Sequence, residues 1–170
     1  MIRLLRNLAR LSASILTMLK PIRLVDLFIG EKDEYDKAIE DFDRAIQLDP
    51  KATDAFFNRG LCYVKKGEYK KAIGDFTKTI NLNPKNLSEV YNNRGLCYRK
   101  IGDNEKAMRD YTKAIEIDPN NGEAYNNRGV LHITSGNIDK AISDFQKACD
   151  LGSERGCRNL QRAKQERGGR

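Results

Sequence analysis

The sequence predicts an all-α protein built of repeated antiparallel helix pairs, and three observations predict it. The segment Asn58-Arg59-Gly60-Leu61-Cys62-Tyr63 returns as Asn93-Arg94-Gly95-Leu96-Cys97-Tyr98 and again as Asn127-Arg128-Gly129-Val130, the glycines 35 and then 34 residues apart. Apolar residues recur three and four apart (Ala72, Ile73, Phe76, Ile80; Ala107, Met108, Tyr111, Ala114, Ile115), which is the spacing of an amphipathic helix. Glycine and proline fall at the same phase of each copy, and self-similarity at a fixed period of this length marks a stacked repeat architecture.

Each element follows from these residues. The glycine-bearing segment predicts a first helix, and the set downstream of it a second: Ala72, Phe76, Thr79; then Ala107, Tyr111, Ala114; then Ala141, Phe145, Ala148. Glycine in the first helix and alanine twelve positions on remove side chains where two axes approach, and Tyr63, Phe76, Tyr98, Tyr111 and Phe145 fill the space beside that crossing. Gly67-Glu68, Gly102-Asp103 and Gly136-Asn137 punctuate the turn between paired helices. Pro50, Pro84 and Pro119 close the units, because proline cannot continue a helix and biases its predecessor away from one. Ala38, Phe42, Ala45 and Pro50 imply an earlier unit whose front half has drifted.

The period and the Gly, Tyr, Ala, aromatic, Ala, Pro series resemble the tetratricopeptide repeat. The resemblance covers residues 19–155, as a degenerate unit (19–52) and three good ones (53–87, 88–121, 122–155). It implies a right-handed superhelical solenoid, preceded by a basic amphipathic segment (1–18) and followed by a capping helix and basic tail (156–170), the solvated end that such an array needs. The departures lie in the first unit, where Asp26 replaces the glycine and Pro21 falls inside the expected first helix.

The resemblance also implies a function, the holding of another polypeptide or extended peptide in a concave groove lined by the first helices. That face is expected to carry Asp54, Phe57, Asn58, Leu61, Val64 and Lys65, then Glu89, Asn92, Asn93, Leu96, Arg99 and Lys100, then Glu123, Asn126, Asn127, Val130, Ile133 and Thr134. Asn58, Asn93 and Asn127 are equivalent, and in similar proteins an amide here bonds the backbone of the bound peptide, since it offers both donor and acceptor. Alternatively they bond locally or face water. Relatives that clamp chain-terminal carboxylates use basic residues or asparagine where this chain has Asp54, Glu89, Glu123, Leu61, Leu96 and Val130, so that specificity is not carried over.

Chemistry for catalysis is not legible. The lone histidine, His132, stands where other copies have Tyr63 and Tyr98 and reads as a core or half-buried side chain rather than a zinc ligand or catalytic base. No phosphate-binding loop, dinucleotide fingerprint or metal-ligand motif occurs, so neither cofactor nor small-molecule substrate is expected. The net charge of +7 belongs to the ends: residues 26–154 hold 20 basic and 23 acidic groups, against five basic and no acidic groups in residues 1–25. Nucleic-acid binding, which needs a basic stripe on the folded face, is therefore a distant reading.

Residues 2–19 place Arg3, Arg6 and Arg10 on one helical face and Leu4, Leu5, Leu8, Leu11, Ile15 and Leu19 on the other. A membrane-surface helix, a targeting segment and an extra helix over the first repeat all fit, leaving cytoplasmic and exported or membrane-associated sites open. An assembly factor held on a membrane by this helix is the rival to a free adaptor. Arg59, Arg94 and Arg128 replace an apolar residue of the family pattern, and Asp41, Asp75, Asp110 and Asp144 recur in the second helices. They predict an Arg–Asp ladder, paired either within a unit or to the unit before. Cys62 and Cys97 read as small core residues. Cys149 and Cys157 resemble the bridged pair of cysteine-rich secreted relatives, a bridge stable only in an oxidising compartment; two unpaired thiols are the alternative.

Overall fold

The computed structural model describes residues 32–169, which form eight helices and no strand. The amphipathic segment at 2–19 and the front half of the degenerate repeat, with Pro21 and Asp26, lie outside the described residues. No described helix is long and apolar enough to cross a membrane. The chain divides between Leu82 and Asn83 into two compact bodies.

The first body holds α1 (Lys32–Leu48), α2 (Thr53–Lys66) and α3 (Tyr69–Asn81). α1 is the second helix of the degenerate repeat. Its Ile39 and Phe42 are buried with Ala55 and Cys62 of α2, and Tyr35, Ala38, Ala45, Ile46, Ala52 and Tyr63 close round them. α2 then packs on α3. A β-carbon at Gly60 would lie 2.8 Å from the ring of Phe76, so the glycine makes room for the aromatic rather than for Ala72. Phe76 is fully buried, and removing such a ring from water stabilises by about 1.5–3 kcal/mol.

The second body repeats that plan with α4 (Leu87–Lys100), α5 (Asn104–Ile117), α6 (Gly122–Thr134) and α7 (Ile138–Asp150), and ends in α8 (Glu154–Gly168). Gly95 admits Tyr111, and Gly129 admits Phe145. Leu131 packs with Ala107 and Tyr111, while Ala141, Phe145, Leu160 and Ala163 form the cluster that seats α8. α8 begins at Glu154, two residues before the sequence-based boundary at 156. The reason lies in the turn. Gly152, at φ 85, has the same left-handed form as Gly67, Gly102 and Gly136, a conformation that glycine adopts without steric cost. The same closing bonds recur with it: Ser153 N donates to Ala148 O at 2.9 Å as Asn137 N does to His132 O at 2.8 Å, the backbone pattern of a glycine-terminated helix.

The Arg–Asp ladder is present and runs within each repeat. Arg59 donates from Nε and Nη2 to Asp75 at 2.8 and 2.6 Å, Arg94 to Asp110 at 2.8 Å twice, and Arg128 to Asp144 at 2.8 Å twice. These forked pairs hold each first helix on its own second helix. Aromatic rings cover the guanidinium groups: Phe56 and Tyr63 at Arg59, Tyr91 and Tyr98 at Arg94, Tyr125 at Arg128. The pairing to the preceding unit through Asp41 does not form; Asp41 faces Arg44 at 3.7 Å. Asp43 instead reaches Arg59 Nη1 at 2.5 Å, because it lies two residues further along α1. The hydrogen bond to Asp75 and the second one to Asp43 outweigh burial and raise the pKa of Arg59.

Cys62 and Cys97 are buried and unbridged, and desolvation pushes their thiols up to about 11 and about 12. Cys149 and Cys157 are bridged, with Cα atoms 4.6 Å apart. The bridge ties the last turn of α7 to the first turn of α8.

Candidate functional site

In the second body α4, α6 and α8 lie side by side, with α6 touching both neighbours. Asn127 Nδ2 donates to Asn92 Oδ1 at 3.0 Å, and Asn159 Nδ2 donates to Asn126 Oδ1 at 2.8 Å. Each amide pair joins one first helix to the next at the same height. Lower down, Asn121 Nδ2 donates to Ser88 Oγ at 2.9 Å, and Ser88 Oγ donates to the Ala114 carbonyl at 2.8 Å. Ser153 Oγ, which also caps the backbone N–H of Gly156, donates to Glu123 at 3.3 Å.

The predicted face residues divide by what they touch. Asn126 and Asn127 are buried and engaged in the amide pairs, so local bonding is realised at Asn127. Asn93 is half-buried, and its side chain makes no hydrogen bond among the described residues. Glu89 and Lys100 are exposed, while Leu96 and Arg99 are half-buried. Val130 and Ile133 pack against the Phe145–Leu160 cluster and are partly core. Thr134 is exposed and turns its hydroxyl onto the Leu131 carbonyl. In the first body Asp54 and Lys65 are exposed, Leu61 and Val64 half-buried and Asn58 buried, and the Phe57 ring stands 5.9 Å from that of Phe76.

Beneath this face lie unpaired polar atoms. Arg99 Nε and the Tyr111 hydroxyl are buried without a hydrogen-bond partner, and burial pushes the Tyr111 phenol up to about 12 against the pull of Arg99. His132 is half-buried, Nδ1 unpartnered and Nε2 3.7 Å from Asp144. Desolvation lowers its pKa, the attraction of Asp144 being overcome. Among the described residues no group of three or more His, Cys, Asp or Glu could hold a metal ion.

Sequence reasoning missed that α8 lies against α6 and bonds to it through Asn159 and Ser153. The signal was present: Gly152-Ser153 is a fourth glycine-polar dipeptide, half a period after Gly136-Asn137, and Asn159 follows Asn126 by 33 residues. It went unread because α8 lacks the Asn-Arg-Gly motif and enters two residues ahead of the repeat period.

Three family models match the sequence: one described as Tetratricopeptide repeat over residues 53–86 and 88–121, one as TPR repeat over 31–67, and another Tetratricopeptide repeat over 110–143. No curated protein matches the chain. Among solved structures the chain is similar to YrrB, described as a TPR protein with an unusual peptide-binding site, with a TM-score of 0.66 and 24% identity over 81% of this chain and 72% of that one. It is similar to the Arabidopsis OM64 TPR domain, with a TM-score of 0.63 and 26% identity over 68% of this chain and 96% of that one. It is also similar to the second TPR domain of human RPAP3, solved in complex with the HSP70 peptide SGPTIEEVD, with a TM-score of 0.57 and 30% identity over 63% of this chain and 90% of that one.

Proposed function

We propose that this chain, which belongs to the tetratricopeptide repeat family, is a protein-interaction module that holds an extended segment of a partner polypeptide on the face formed by α4, α6 and α8, and so serves as an adaptor or assembly factor. The human RPAP3 domain, 30% identical, was solved with a bound peptide, which supports a partner of the same class here. The observation that carries the reading is Asn93. Its counterpart Asn127 is tied to Asn92, whereas the Asn93 amide is half-buried on the same face with its donors and acceptor unused among the described residues. A pre-positioned amide of this kind bonds any peptide backbone without demanding a side chain. Arg99 and Lys100 on α4, against Glu89 and Glu123 on α4 and α6, give the face both signs of charge.

The test is Asn93→Ala in the full chain, with a captured partner followed by affinity measurement. One lost backbone-directed hydrogen bond weakens binding by about 0.5–1.5 kcal/mol, and the helical signal and melting curve stay as in the wild type. Unchanged affinity removes Asn93 from the site and this reading with it.

A further inference from the structure

We propose that α8 extends the binding face rather than only ending the array, and that Arg155, Arg158 and Arg162 receive an internal acidic stretch of the bound polypeptide. The proposal rests on the reading above and names the chemistry of the segment held. Its first ground is register. The bond from Asn159 to Asn126 repeats that from Asn127 to Asn92, which aligns each residue of α8 with the one 32 before it in α6. Burial agrees. Gly156 falls at Ala124 and Ala163 at Leu131, all four buried, and a β-carbon on Gly156 would meet Ala148 at 2.6 Å. In this register Arg155 stands where α6 has Glu123, Arg158 where it has Asn126 and Arg162 where it has Val130. These are three of the positions that the sequence assigned to the face; on α6 the last two are covered by α8, whereas on α8 the same row is exposed.

The second ground is availability. Arg59, Arg94 and Arg128 are locked into forked pairs at 2.6–2.8 Å. Arg155 reaches Glu123 only at 3.6 Å with its side chain 66% exposed, and Arg158 reaches Glu154 only at 3.7 Å with its side chain 61% exposed. Arg162 is exposed and has no ion-pair partner among the described residues. At about 100° per residue the three arginines fall within roughly 60° of arc and about 10 Å of helix, with Asn159 about 40° to one side of that arc.

The third ground is fit. Arg158 and Arg162 are about 6 Å apart along the axis, close to the roughly 7 Å between alternate side chains of an extended chain. A segment with carboxylates at alternate positions meets both guanidinium forks, a geometry arginine serves well. Glu89, Glu123 and Glu154 edge the same face and repel a continuous phosphate backbone, so a peptide of mixed character fits better than a nucleic acid.

The test uses fluorescence anisotropy with the full chain and a short labelled peptide of alternating Glu and Thr, capped at both ends so that no terminal carboxylate is available. A Gln-for-Glu counterpart and an oligouridylate serve as comparison probes. Each exposed arginine–carboxylate contact contributes up to about fivefold in affinity, and reversing the charge adds repulsion. The variant carrying Arg158→Glu and Arg162→Glu is expected to bind the Glu peptide at least about tenfold more weakly, with unchanged melting, and the Gln peptide to bind the wild type as weakly. Full affinity in the charge-reversed variant overturns the proposal, as does oligouridylate binding more tightly than the Glu peptide. If Asn93→Ala weakens the Glu peptide and charge reversal does not, the face stands and the arginine inference falls. If neither weakens it, both fall.

Discussion

One substitution, glycine to alanine, is expected to act in opposite directions at two helical positions of this chain. Gly74 in α3 is exposed, and a β-carbon there meets nothing within 4 Å. Alanine restricts the unfolded backbone and suits the helix, so Gly74→Ala gains about 0.8–1 kcal/mol. At Gly129 the same propensity gain applies, but the new β-carbon falls 2.6 Å from Cε1 and 2.8 Å from Cδ1 of Phe145. That ring is 2% exposed and has to move by about 1 Å to restore contact distance, within a core that has little give. Overpacking of this kind costs about 1–3 kcal/mol. The propensity term cancels between the two variants, so their difference isolates the clash at about 1–3 kcal/mol. In a chain of this size that is roughly 2–4 °C of melting midpoint per kcal/mol. Thermal and urea unfolding followed by circular dichroism read it, with wild type between the two variants or level with Gly129→Ala. Gly60→Ala and Gly95→Ala, whose β-carbons would lie 2.8 and 2.9 Å from Phe76 and Tyr111, fall on the Gly129 side with smaller losses. Equal stabilisation at Gly74 and Gly129 would refute the claim that glycine is there to admit the ring.

Asp144→Ala strands the half-buried Arg128 guanidinium, which loses both its hydrogen bonds, and lowers stability by about 2–3 kcal/mol in urea unfolding; a loss below about 0.5 kcal/mol would mean the pair behaves as a surface one. Because burial sets the folded pKa of His132 below its unfolded value of about 6.5, the unfolded chain takes up the proton first, and stability falls as pH drops through 6.5. His132→Tyr removes this share of the slope in melting curves taken between neutral and mildly acidic pH. Reduction of the Cys149–Cys157 bridge releases a short loop worth about 2–3 kcal/mol by chain entropy, and hydrogen exchange is expected to speed up across residues 154–168 before α4 or α5; uniform acceleration would mean that α8 does not open on its own.

The helix pairs from α2 to α7 were legible because Gly60, Gly95 and Gly129 return in phase with an aromatic and a small residue downstream. The repeat also exposed the Arg–Asp ladder but left two pairings open, since a recurring aspartate has the same spacing to a repeat on either side. Asp43 could not be singled out. Its counterparts are Thr77, Thr112 and Gln146, so no carboxylate recurs at this position and the Asp43–Arg59 ion pair leaves no periodic trace in the sequence. The asparagines were visible as a set, but whether an amide bonds a ligand or its neighbour depends on the register of adjacent helices, which single-chain spacing does not carry. α8 was expected as a capping helix from 156, but its early entry hid its register with α6, and with it the arginines that lie in line with Glu123, Asn126 and Val130.

The turn at Gly152 has the same left-handed form, φ 85, as those at Gly67, Gly102 and Gly136, at 77, 86 and 74. Those three connect partners within a pair, yet here the shape connects the second helix of one pair to a helix that has no paired helix after it among the described residues. One form of joint therefore serves both inside a helix pair and after the last described pair. Copy number is then expected to change without new loop chemistry: residues 88–121 are a cassette to duplicate in frame, while the glycine joint, the bridge and α8 are expected to travel together as one unit. A chain lengthened by one such cassette is expected to keep α8 in place, which makes α8 with its joint and bridge a transferable part in its own right.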